Sequence, residues 1–100
     1  MPFTDHDVKG ISRFLRDSGL PADRLRMHIS VVGPGQRSHP PHQHDGTEAF
    51  YMFEGSGTLE IEDERVVLEA GQSVVFDPQR LHGLFNSGEV PMRYLVVIAR

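Results

Sequence analysis

The chain has no cysteine, which removes disulfides, thiolate metal sites and cysteine nucleophiles together. Any metal it holds must sit on nitrogen and oxygen, and six histidines are there to supply the nitrogen. Positive charge is also short. Ten lysines and arginines face 14 aspartates and glutamates, and the net charge of −4 argues against the basic surface that nucleic acid requires. No apolar run approaches the roughly 20 residues that span a bilayer. Asp5, Asp7, Lys9, Arg13, Arg16 and Asp17 stand where a secretory signal would be apolar, so the expectation is a cytoplasmic chain with no membrane partner. Repeats and low-complexity segments are missing too. One hundred residues with 38% hydrophobic content and 24% charge suit one domain around one core.

What is present divides at about residue 24. Over residues 4–18, Val8, Ile11, Phe14 and Leu15 fall at helical spacing, Thr4 and Asp7 form a candidate cap, and Gly19-Leu20-Pro21 is a stop signal. This predicts one short amphipathic helix over residues 4–18, within an N-terminal segment of residues 1–24. Gly10 weakens it, and the alternative is an extended arm along a sheet edge. From Leu25 onward, short β-branched or alternating runs are separated by Gly, Pro, Asn and Asp. Met27, Ile29 and Val31 alternate with His28 and Ser30, and Leu59 and Ile61 with Glu60 and Glu62. Residues 66–68, 73–76 and 94–98 read as further strands. Turn signals recur about every ten residues with no helical stretch between them, which predicts an all-β, antiparallel sandwich or barrel over residues 25–100.

Two histidines one residue apart, His42 and His44, point to the same face if they lie on a strand, with Gln43 turned away. Pro40 and Pro41 hold the preceding stretch extended. After the turn Asp45-Gly46-Thr47, Glu48 opens the next strand and can bring a carboxylate to the same place. His82, which follows a proline-containing turn, joins them only if strands distant in sequence are neighbours. A His-x-His pair alone is commonly two exposed polar residues. Three imidazoles and a carboxylate, however, suit one divalent transition metal (Fe, Mn, Ni, Co or Zn), with positions left over for water, dioxygen or a chelating substrate.

These donors sit inside a longer pattern that resembles the two motifs of the cupin superfamily. The first motif runs Gly, five residues, His-x-His, three or four residues, Glu, six residues, Gly. His42-Gln43-His44, Glu48 and Gly55 match it, while Gly35 stands one residue upstream of the expected place, which Gln36 occupies. The second runs Gly, five residues, Pro-x-Gly, two residues, His, three residues, Asn. Gly71, His82 and Asn86 keep its distances, Pro78 is displaced by one, and Gln79 stands in place of the glycine. Residues 56–70 are similar to the shortest spacers of compact single-domain members. The resemblance implies a double-stranded β-helix, the cupin jelly-roll barrel, with His42, His44, Glu48 and His82 on a metal in its mouth. It also implies frequent dimerisation through an N-terminal segment or edge strand. No single chemistry follows, because the superfamily includes dioxygenases, isomerases, cyclases, lyases, sugar-sensing regulators and storage proteins.

Around the four donors, Phe50 and Met52 share strand parity with Glu48 and are candidates to line the pocket, with ordinary core packing as the competing reading. His28, on the polar side of its strand, is a candidate pocket residue that could move a proton. Asn86 shares parity with His82 and is a candidate to orient it, or else it anchors a turn. His39 suits a solvated loop at the barrel mouth. Arg26 and Arg93 can hold a carboxylate or simply be solvated. Residues 60–65 read as a charged, solvated hairpin tip. The expected function is a metal-dependent enzyme on a small polar or aromatic metabolite, a dioxygenase or an isomerase or cyclase using the metal as Lewis acid. The alternative is a non-catalytic ligand-binding or sensor module with a structural metal. A small-molecule ligand and a second copy of the chain are the expected partners.

Overall fold

The computed structural model describes residues 3–8, 12–21 and 24–100, with side chains from Phe14 onward. Nine strands follow one another: β1 (Phe3–Val8), β2 (Ser12–Asp17), β3 (Leu25–Val32), β4 (Thr47–Glu54), β5 (Ser56–Ile61), β6 (Glu64–Glu69), β7 (Ser73–Phe76), β8 (His82–Phe85) and β9 (Met92–Ala99). They form an antiparallel hairpin β1-β2, a four-stranded sheet in the order β3-β9-β4-β7, and a three-stranded sheet in the order β6-β5-β8. All described residues are accounted for without a helix.

The hairpin overturns the helix expected over residues 4–18. Its register runs from Phe3↔Asp17 to Val8↔Ser12, so Thr4 and Asp7 lie within β1 and not at the start of a helix. The burial of β2 alternates with period two. Phe14 and Arg16 are half-buried and Leu15 and Asp17 exposed, as a strand against a surface requires and a helix does not. Gly10, which costs a helix interior about 1 kcal/mol, and Ile11, part of the helical spacing, lie outside the described residues.

The four-stranded sheet carries the site on its inner face. Its register sets the rows Arg26–Ile98–Glu48–Phe76 and His28–Val96–Phe50–Val74, followed by Ser30–Tyr94–Met52 and Val32–Met92. The later rows are the driest: Met52 and Met92 are fully buried and pack with Leu59, Leu84 and Leu68 from the opposite sheet. Phe50, Phe76 and Tyr94 meet as tilted and edge-to-face rings 5.2 and 5.4 Å apart. The core thus fills one end of the sandwich, and polar side chains occupy the other.

Turn chemistry explains where the chain departs from the cupin pattern. Gly35 has φ +72° and its N–H donates to the Asn86 carbonyl, so the turn that needs a glycine has one, a residue upstream of the usual place. The turn at Asp77–Arg80 needs none. Gln79 has no positive φ, its N–H donates to Asp77 Oδ1 at 3.0 Å, and the Arg80 N–H to the Asp77 carbonyl at 3.3 Å.

Candidate metal centre

His42 and His44 do not lie on a regular strand, contrary to the sequence reading. The segment is extended but carries only an isolated bridge, in which His42 and His82 exchange both backbone hydrogen bonds at 2.9 and 3.0 Å. The His44 N–H donates to the Pro78 carbonyl at 2.9 Å. These bonds bring residues 40 apart in sequence to one place. Glu48 arrives from the second position of β4, across a turn made by Gly46 at φ +97°, and His82 opens β8. A Cβ at Gly46 would stand 2.3 Å from the Ala99 carbonyl oxygen, so no larger residue fits the turn that joins the two ligand segments.

One nitrogen or oxygen from each of His42, His44, Glu48 and His82 lies within 4.8 Å of the others. The hydrogen bonds fix how each imidazole presents itself. His82 Nδ1 is 2.8 Å from the Arg80 carbonyl and His44 Nδ1 is 2.9 Å from the Asp45 carbonyl. A carbonyl only accepts, so both Nδ1 atoms donate to it and both Nε2 atoms are turned inward. There they meet Glu48 Oε1, at 2.8 Å from His44 Nε2 and 3.2 Å from His82 Nε2. His82 Nε2 is buried, and the 3.2 Å approach lacks hydrogen-bond geometry, so this atom has no hydrogen-bond partner. Two inward Nε2 atoms thus converge on a carboxylate buried to 4% exposure, His44 Nε2 hydrogen-bonded to it and His82 Nε2 unsatisfied, an arrangement that a cation between them would complete. Adjacent donors on an octahedral ion at about 2.1 Å stand about 3 Å apart, and the two observed separations bracket that figure.

His42 completes the set as a neutral imidazole. Desolvation first, then the neighbouring imidazoles of His39, His82 and His44, lower its pKa from 6.5 to about 4, so it offers a lone pair at neutral pH. Phe76 packs edge-on to the His82 ring at 4.9 Å. Arg80 donates to Glu62 and Glu64 at 3.0 and 2.8 Å, tying the loop that carries His82 to the β5–β6 hairpin. The charges at that tip therefore support the site, which their composition alone had not signalled.

The four donors open into a cavity of about 330 Å³ whose lining includes Arg26, His28, Phe50, Tyr94 and Arg100. Phe50 and His28 are thus on the pocket wall, as expected of candidates there. Met52 is not. It shares Glu48's parity, but it stands two rows away, fully buried in the core. Asn86 does not touch His82. Its amide donates to the Val32 and Val90 carbonyls at 2.9 Å each and its oxygen accepts the Gly88 N–H, so it anchors the turn after β8. His39 is exposed on the cavity rim with its ring 4.2 Å from that of His42. Arg93 lies over the Phe53 ring, away from the cavity.

Tyr94, Val96 and Ile98 line the cavity and were missed. Strand β9 reads Met-Arg-Tyr-Leu-Val-Val-Ile-Ala, apolar on both faces, so parity could not say which residues turn inward. The Tyr94 hydroxyl sits 3.3 Å from Ser38 Oγ, and burial pushes its pKa up against the opposing effect of hydrogen bonds to Ser38 and Ser30. It keeps its proton and can donate it in a hydrogen bond to a bound ligand.

Comparison with known proteins follows the same outline. An uncharacterised protein of Methanocaldococcus jannaschii is 24% identical over 94 residues, covering 94% of this chain and 75% of its own. The crystal structure of a Thermus thermophilus protein superposes with TM-score 0.70 at 26% identity, over 80% of this chain and 76% of that one. That of a predicted oxalate decarboxylase from Thermotoga maritima does so with TM-score 0.68 at 26% identity, over 76% and 67%. The family description "Cupin domain" matches residues 28–98, the stretch that holds all four donors and most of both sheets, and the chain belongs to that family.

Proposed function

We propose that this cupin is a metal-dependent enzyme in which His42, His44, Glu48 and His82 hold one divalent transition metal and a small polar or aromatic metabolite binds beside it. The observation that carries the reading is the pair of inward-facing Nε2 atoms of His44 and His82, their rings fixed by backbone carbonyls around a buried carboxylate, with His82 Nε2 left without a hydrogen bond. The bound metal would supply Lewis acidity, or a place for substrate and dioxygen side by side. The protein's own part is positioning. The His42–His82 backbone bridge and the Arg80 carbonyl hold the imidazoles, Phe50, Val96 and Ile98 wall off water, and Tyr94 offers a donor. A neighbour described as a predicted oxalate decarboxylase fits such a site, because a small carboxylate chelates a metal through its oxygens.

The test is turnover. Protein reconstituted separately with Fe(II), Mn(II), Ni(II), Co(II) and Zn(II) is incubated with a panel of small carboxylates, sugars and phenols, followed by proton NMR and an oxygen electrode. The reading expects one metal to support conversion of at least one compound, with oxygen uptake if the reaction is a dioxygenation. Retained metal, stabilisation by one compound and no turnover would make the chain a ligand-binding module.

We further propose that the chain works in the cytoplasm as a homodimer, paired through the outer face of the four-stranded sheet. Two rows of that face are largely apolar, with Arg93 lying over the Phe53 ring beside them. Its register sets the rows Met27–Val97–Ala49–Val75 and Ile29–Leu95–Tyr51–Ser73, and Leu25, Val31 and Phe53 are exposed beside them. Four strands at about 4.8 Å and seven residues at about 3.3 Å give roughly 450 Å² in projection, before side-chain relief is counted. A standard interface uses about 800 Å² per partner, and a monomer's largest apolar patch is about 300–600 Å². A second copy presenting the same face would match it in polarity.

A further inference from the structure

The inner face carries a second polar position beside the metal site, and it is cationic. Arg26 stands in the same row as Glu48 with only Ile98 between them, so their Cα atoms are two strand spacings apart, about 10 Å. Both line the one cavity. The charged groups of that lining are Arg26, Arg100 and Glu48. Arg100 is engaged, its Nε donating to Asp45 at 2.9 Å, an interaction that also holds the Asp45 carboxyl below its ordinary pKa. Arg26 makes no ion pair among the described residues. A divalent ion on Glu48 leaves one positive charge uncompensated, and Arg26 adds a second. The cavity therefore favours a ligand with two negative charges. The one residue between them in that row, Ile98, is apolar.

Resting on the metal reading above, we propose that the substrate is a short two-ended anion. One end is an oxygen pair that chelates the metal. The other is a carboxylate that lies across the Ile98 row position and pairs with the Arg26 guanidinium. Arg26 is then a specificity-determining residue. Its planar fork suits a carboxylate in two parallel hydrogen bonds, which a lysine cannot reproduce. A ligand that has the chelating end alone binds more weakly, because Arg26 stays without its counter-charge.

Titration calorimetry on protein loaded with Co(II) tests this with a matched pair of probes, L-malate and L-2-hydroxybutanoate. The two share the 2-hydroxy acid end and the chain length, and only malate carries the second carboxylate. The expected result is about tenfold tighter binding of malate to the wild type. In Arg26→Gln that preference shrinks to within about twofold while the affinity for 2-hydroxybutanoate is unchanged, and in Arg26→Lys it is intermediate. Arg26 is exposed, so both variants should melt with the wild type and take up Co(II) as it does. Equal affinity of the wild type for the two probes, a preference that survives Arg26→Gln, or no binding of either probe to Co(II)-loaded protein overturns the inference and leaves the metal reading in place. Failure of the wild type to take up Co(II) overturns both.

Discussion

His82 is held from both ends, its Nδ1 by the Arg80 carbonyl and its backbone by His42, and only its Nε2 is left without a hydrogen bond. Replacing it with glutamine removes an oriented donor from a site whose other members stay in place. We expect metal affinity to fall by on the order of 100-fold or more in a chelator competition, since loss of a mere orienting partner already costs 10–100-fold. Asn86 makes the contrast. Truncation to alanine leaves the buried Val32 carbonyl without its donor and should cost about 1–3 kcal/mol in urea unfolding. Metal affinity should stay within about twofold, and a loss as large as a ligand's would return Asn86 to the role of orienting His82. His42 gives the site a pH dependence. With its folded pKa lowered to about 4 and its unfolded value near 6.5, the unfolded chain binds a proton over that window that the folded chain refuses. The metal-free protein therefore loses stability as pH falls from 6.5 toward 4, and this group contributes no slope above 6.5. Thermal melts of metal-free protein at about pH 7.5 and about pH 5 should show the loss, and His42→Gln should reduce it.

The turn between the His42–His44 segment and β4 sets how far His44 stands from Glu48. Gly46→Ala forces a side chain into the left-handed region and against the Ala99 carbonyl. We expect it to cost about 2 kcal/mol or more in urea unfolding and to weaken metal binding together with stability. Unchanged stability and affinity would mean the turn is not what spaces the ligands. Elements were legible in the sequence where local rules act alone. β5 and β7 follow from alternation between glycine and aspartate-proline boundaries, and the β5–β6 turn from its charges. The N-terminal hairpin was not, because Val8, Ile11, Phe14 and Leu15 satisfy helical spacing while the pairing that decides, Val8 with Ser12, is set by a partner strand. The four donors were legible through their spacing and the cupin resemblance. The His42–His82 bridge that unites them is a long-range contact that no local pattern encodes, and the inward face of β9 was hidden by apolar residues on both sides.

As a whole molecule the chain is a two-sheet barrel with a dry core at one end, a polar, histidine-lined cavity at the other, and an apolar outer face. No helix among the described residues is long and apolar enough to cross a membrane. Val75, 69% exposed on that outer face, can take a charge without disturbing the core. If a second copy covers the face, light scattering should give twice the chain mass for the wild type and a monomer for Val75→Glu, whereas a monomeric wild type would contradict the dimer. The central claim concerns the metal. Elemental analysis of protein purified without a metal-affinity tag, beside the double variant His42→Ala/His44→Ala, tests it most directly. The account predicts close to one equivalent of Fe, Mn, Ni, Co or Zn in the wild type and loss of it in the variant. Wild-type protein that stays metal-free after reconstitution with each of Fe(II), Mn(II), Ni(II), Co(II) and Zn(II) would contradict it.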